Sequence, residues 1–110
     1  MLETIFGSGL RATVKVMGLK VELRTLLVRE VADLTERTEA IVDPIRRSQE
    51  QQLLTVASSL ISVDENPLPD GFEDRVKLIR SWPRAVAEKL MVAYTELYNK
   101  ELQRLDELKN

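Results

Sequence analysis

Apolar and polar side chains alternate along residues 12–24, on both sides of Met17-Gly18. A period of two is typical of a strand with one buried face. With Met17 and Gly18 as the turn, Val16 faces Leu19 and all the apolar side chains lie on one side of the ladder. The pattern therefore predicts a β-hairpin over residues 12–24 that must pack against helices, because an isolated hairpin is marginally stable.

The pattern changes to a helical period after the hairpin. Thr25 is the predicted N-cap, and Pro44 should end or kink the helix because it lacks a backbone N–H and clashes with the preceding turn. The apolar positions of this helix are Leu27, Val31, Leu34, Ile41 and Ile45.

A hydrophilic run over residues 46–52 precedes a second amphipathic helix with a mostly solvated start. Its apolar positions are Leu53, Val56, Ala57, Leu60 and Ile61. Residues 64–71 contain Asn-Pro and Asp-Gly and predict the principal loop. Asp70 followed by Glu73 resembles a capping box, which predicts a short helix ending near Arg80.

Ser81-Trp82-Pro83 predicts the start of the last helix, because proline is tolerated in a first turn after a serine cap. No helix breaker follows Pro83 up to about Lys109, and ~27 residues make a rod of about 40 Å. The predicted fold is mainly α: a small helical bundle of about four helices with an N-terminal β-hairpin and a long C-terminal helix. Residues 1–11 are expected to form a flexible arm, and residues 12–110 a single domain with a protruding helix over 83–109.

Composition narrows the function classes. The 110 residues include no cysteine and no histidine, which removes thiolate chemistry, most transition-metal ligation and the usual proton carrier near neutral pH. We therefore expect a chain that is not an enzyme and binds no cofactor or metal. The remaining enzyme alternative is a cofactor-free helical enzyme acting on an anionic metabolite, with Arg46, Arg47 and Glu50 as its only suggestive group.

The net charge and the hydropathy of the chain indicate which binding partners and which cellular location to expect. A formal charge of −2 lacks the basic excess of phosphate-backbone binding, so no nucleic acid partner is expected. The N-terminus shows neither a signal peptide nor a membrane span, which predicts a cytoplasmic protein without a membrane partner.

The apolar residues near the carboxyl end are the predicted partner-binding site. For Leu102, Leu105 and Leu108, packing within the domain and exposure are about equally favoured, because little remaining sequence could cover them; a partner helix or self-association would bury them if they are exposed. This C-terminal stripe consists of Tyr94, Tyr98, Leu102, Leu105 and Leu108.

Two blocks of sequence resemble the small tail assembly chaperones of tailed bacteriophages. The first is residues 13–26 with Arg29-Glu30, which is similar to the opening of such proteins. The second is residues 60–63, a variable loop and then Trp82-Pro83, followed by Val86, Leu90, Ala93, Tyr94 and Leu97. The resemblance covers about residues 13–100, and baseplate assembly chaperones of contractile-tailed phages share the same outline.

The resemblance implies an assembly factor, acting in the host cytoplasm, that binds the tape measure protein, keeps it soluble and assists tail tube assembly through helical surfaces. It implies no catalytic residue. The second function class is a structural connector or baseplate subunit retained in the phage particle. Analysis of finished particles distinguishes these two classes, because a chaperone is missing from them.

Overall fold

The computed structural model describes residues 10–108, and of Leu108 the backbone only. That part of the chain contains four strands and four helices. In chain order they are β1 (Arg11–Val16), β2 (Leu19–Arg24), α1 (Val28–Thr38), α2 (Pro44–Ser59), β3 (Leu60–Val63), β4 (Asn66–Pro67), α3 (Phe72–Arg80) and α4 (Arg84–Leu108).

The predicted N-terminal hairpin is confirmed, with the predicted register. Val16 faces Leu19 and Val14 faces Val21 in the antiparallel pair of β1 and β2. Met17 and Gly18 have φ angles of 52° and 81°. Positive φ at both central residues is typical of a type I′ turn, whose twist matches that of the two flanking strands.

The prediction of a mainly helical bundle was wrong. The hairpin is half of a four-stranded antiparallel sheet with the order β1-β2-β3-β4. Leu60, assigned to a helix by its spacing, begins β3 and lies opposite Leu23. A second tight turn at Asp64 and Glu65, with φ of 49° and 68°, leads into β4 inside the expected loop. The β-branched side chains after Leu60 favour a strand. The strand with which they pair is β2, which is distant in sequence, so local periodicity does not reveal the pairing.

The helix that Pro44 was expected to end or kink stops before the proline, and a second helix begins there. α1 ends at Thr38, and α2 begins at Pro44 after Asp43, whose side chain accepts a hydrogen bond from the Ile45 N–H at 2.9 Å. The break changes the helical phase, so Ile45 is 69% exposed and lies outside the core. Thr25 does not cap α1; Leu27 precedes the helix as its N-cap.

Two other predicted caps have different roles. Gly71, not Asp70, is the N-cap of α3. Ser81 ends α3, and its hydroxyl donates to the Leu78 carbonyl at 2.5 Å. α3 does end at Arg80 as predicted, and α4 follows within four residues.

The core lies between the helices and one face of the sheet. The bulge at Ile61 keeps Leu60 and Val63 on the same face, opposite Leu23 and Val21. α4 packs against β1, β2 and α2, while α2 also packs against α1 and α3. The buried apolar cluster comprises Val16, Val21, Leu23, Leu34, Leu54, Val56, Ala57, Leu60, Val76, Ile79, Leu90, Ala93 and Leu97.

The predicted arm over residues 1–11 lies outside the described residues except at its end. Leu10 already continues the ladder, since the Thr25 N–H donates to the Leu10 carbonyl at 2.9 Å, and Arg11 begins β1. Within residues 10–108, no helix is long and apolar enough to cross a bilayer.

Candidate functional site

The C-terminal stripe lies on α4 and is only partly covered by its own chain. Tyr94 is buried, whereas Tyr98 and Leu102 are each 44% exposed and Leu105 is half-buried. The helix continues through Leu108, whose side chain lies outside the described part. Tyr98, Leu102 and Leu105 therefore form the accessible section of the stripe.

Glu101 ties this section of α4 to the sheet. Its Oε2 accepts hydrogen bonds from the Thr25 hydroxyl at 2.5 Å and from the Leu10 N–H at 3.1 Å. The Thr25 Oγ1 in turn accepts from the same Leu10 N–H at 2.8 Å. This carboxylate, which interrupts the apolar seam in sequence, anchors the helix where β1 begins and β2 ends.

Tyr94 forms a second link between α4 and the segment after β2. Its hydroxyl accepts a hydrogen bond from the Leu26 N–H at 3.4 Å, and its ring stacks on that of Tyr98 with 6.5 Å between centroids. Burial raises the pKa of the Tyr94 phenol above its ordinary value, and the nearby Glu101 adds to the rise. Tyr98 is thus held by its stacked neighbour while almost half of it faces solvent.

Arg24 and Glu30 brace the junction between β2 and α1. Two nitrogens of the guanidinium donate to the two carboxylate oxygens at 2.7 and 2.5 Å, and Glu30 also accepts from the Leu27 N–H at 2.9 Å. The hydrogen bond from Arg24 lowers the pKa of the Glu30 carboxyl from its ordinary value. A bidentate pair with a cap contact fixes the direction in which α1 leaves the sheet.

Arg46, Arg47 and Glu50, the suggestive group of the enzyme alternative, do not converge on one pocket. Arg47 donates from Nε to the Ile41 carbonyl at 2.8 Å, which secures the chain between α1 and α2. Glu50 forms an ion pair with Arg80 of α3, and Arg46 is exposed. Among residues 10–108 no group of three or more Asp or Glu side chains is placed to hold a metal ion.

A shallow groove lies between α2 and α4. It is lined by Leu53 and Ala87 and by the exposed pair of Arg84 and Glu88, with Nε to Oε1 at 2.8 Å. An exposed i, i+4 pair of this kind contributes little binding energy.

The face of the sheet turned away from the core is polar. Thr13, Glu22 and Ser62 form a row across β1, β2 and β3. Lys20 donates to Glu65 at 3.2 Å at one end of this face. Hydroxyls, the Glu22 carboxylate and the Lys20–Glu65 ion pair therefore line this side of the strands within the described part of the chain.

β1 is an edge strand with outward-facing backbone groups. In a two-residue hairpin, the Val16–Leu19 pair is hydrogen-bonded, and every second pair after it is bonded as well. The bond from the Thr25 N–H to the Leu10 carbonyl continues this alternation. The N–H and C=O groups of Arg11, Thr13 and Lys15 consequently point away from β2.

Two elements of this arrangement escaped sequence reasoning. Glu101 could have been found as a carboxylate in the buried phase of an amphipathic helix, which requires a polar partner. β3 and β4 had no comparable local signal. Comparison of the chain with protein-family models, curated proteins and solved structures gave no match.

Proposed function

We propose that this chain is a protein-binding assembly factor of the tail assembly chaperone type, which binds a helical segment of a tape measure protein through the accessible section of its C-terminal stripe. The single supporting observation is the exposure of Tyr98 and Leu102 on a helix that Glu101 anchors to the sheet. The resemblance over residues 13–100 is the ground on which we propose a tape measure protein as the partner.

The physical basis is the free energy gained when exposed apolar surface leaves water. Complete burial of a leucine or aromatic side chain stabilises a complex by roughly 1.5–3 kcal/mol. Tyr98, Leu102 and Leu105 occur at spacings of four and three, so they share one face of α4 and suit a partner helix with a matching apolar face. Since Tyr94 and Glu101 hold the helix in place, little ordering is needed before binding.

The test is co-expression with the tape-measure-type protein of the same genome, followed by affinity measurement. Leu102→Asp with Leu105→Asp should weaken binding more than about tenfold, because each change removes apolar contact and introduces a charge that must be desolvated. The matched control is Asn99→Asp with Gln103→Asp, which adds the same charge at exposed positions of the same turns. Circular dichroism checks that both variants remain folded, and Leu102→Asp alone serves if the double variant does not.

Equal affinity of the stripe variant and its control would refute the proposed surface. Mass spectrometry of finished particles then separates the two particle-related functions. An assembly factor should be missing, whereas a stoichiometric amount would support the connector or baseplate alternative.

A further inference from the structure

We propose that the outer edge of β1, the first strand of the sheet within residues 10–108, binds an extended segment of a partner protein as a fifth strand, and that this segment alternates acidic and apolar residues. The proposal rests on the protein-binding function proposed above and gives it a second surface, separate from the C-terminal stripe. The juxtaposition that carries it is a backbone edge, unpaired within residues 10–108, that is flanked by Arg11 and Lys15.

The backbone of the edge is available for a further ladder. Within residues 10–108, the outward N–H groups of Arg11, Thr13 and Lys15 donate no hydrogen bond and their outward C=O groups accept none. Such a row of N–H and C=O groups is the template for strand addition. Three alternate residues offer three donors and three acceptors to an incoming strand.

Two pairs of cations face one another across β1 and β2. Within residues 10–108, the β2 member of each pair has a carboxylate partner, whereas the β1 member has none. Arg11 lies opposite Arg24, and Arg24 has its own carboxylate in Glu30. Like charges directly opposite one another destabilise a strand pair. Arg11, the outer member of this pair, has no ion-pair partner among the described residues.

The other end of the edge repeats this arrangement. Lys15 lies opposite Lys20, and Lys20 is paired with Glu65 at 3.2 Å. Lys15 is exposed and, within residues 10–108, forms no ion pair. Acidic residues four apart on a fifth strand would supply the missing partners at both ends.

The inner face of β1 determines which residues are favoured between the acidic residues of the partner strand. Ala12 and Val14 pack against the core and remain half-buried. An apolar side chain beside Val14 would extend the inner face of the sheet and remove more apolar surface from water. A second copy of the chain fits poorly, because antiparallel pairing centred on Thr13 would place Arg11 opposite Lys15 of that copy.

The probe is a labelled peptide with the core Glu-Val-Thr-Val-Glu, titrated into the full chain. Binding should shift the NMR amide signals of Arg11, Thr13 and Lys15. Arg11→Glu with Lys15→Glu should weaken binding about tenfold or more, since two attractive cross-strand pairs become repulsive. Lys77→Glu with Lys89→Glu, at exposed positions on α3 and α4, is the matched control and should bind as the unmodified chain does.

A peptide with the opposite charges tests whether lost binding is caused by misfolding of the variant. A Lys-Val-Thr-Val-Lys peptide should bind the Arg11→Glu, Lys15→Glu variant better than it binds the unmodified chain. Absence of amide shifts at millimolar peptide, or equal binding of both peptides to the unmodified chain, would overturn the proposal and leave the cations as a deterrent to edge pairing. The Leu102→Asp, Leu105→Asp variant should keep full peptide binding, so the two proposed surfaces succeed or fail separately.

Discussion

The Glu101 carboxylate is the main hydrogen-bonded link between α4 and the sheet, and its removal should destabilise the protein measurably. Glu101→Ala deprives the Thr25 hydroxyl of its acceptor at 2.5 Å, in a site where Thr25 is 0% exposed. The Leu10 N–H keeps the Thr25 oxygen as a partner at 2.8 Å. A buried donor left without an acceptor costs about 1–3 kcal/mol, so we expect the free energy of unfolding to fall by ~2 kcal/mol.

Urea unfolding followed by circular dichroism measures this loss. With a slope of about 1.5 kcal/mol per molar, a loss of ~2 kcal/mol lowers the midpoint by more than about 1 M. Glu96→Ala is the control, since Glu96 is exposed on the same helix and the change in helix propensity is the same. Glu101→Gln keeps a neutral acceptor and should fall between the two. A Glu101→Ala midpoint equal to that of Glu96→Ala would refute the anchoring role.

Two further predictions concern β3 and the brace beside α1. Leu60 is 0% exposed, so Leu60→Ala should lower the free energy of unfolding by ~2–5 kcal/mol in urea, while Ile61→Ala, at a half-buried position, costs less; equal costs would contradict the observed bulge. Because the pKa of Glu30 is lowered from 4.5, its stabilising contribution is present above that pH and is lost as the pH falls through the lower folded-state pKa. Thermal melts of Glu30→Gln should therefore show a smaller loss of stability in acid, and an acid limb identical to that of the unmodified chain would count against the Arg24 brace.

Local pattern was sufficient where the decisive contacts are close in sequence. The alternation over residues 12–24 and the Met17-Gly18 turn predicted both the hairpin and its register. Pro44 predicted the break between α1 and α2, because a missing N–H and a steric clash act within one turn. The long last helix followed from the lack of breakers after Pro83, and the structure has it over Arg84–Leu108.

The position of the C-terminal stripe on the last helix was also predictable from sequence. The C-terminal stripe was identified from its spacing, yet the spacing could not separate buried Tyr94 from Tyr98 and Leu102, which remain 44% exposed. That difference depends on how far the sheet and the segment after β2 reach along α4. The exposure of a side chain depends on how the molecule packs and not on the spacing of apolar residues along the helix.

Tertiary structure alone decided the sheet and its anchoring. Leu60 fits a helical repeat and a strand equally well, and its choice depends on pairing with Leu23, 37 positions earlier in the chain. Glu101 binds Thr25 and Leu10 over still greater separations. A sequence determines local periodicity, caps and turns through neighbouring residues, whereas the partner of a ladder edge or a buried carboxylate is selected by the free energy of the whole packed arrangement.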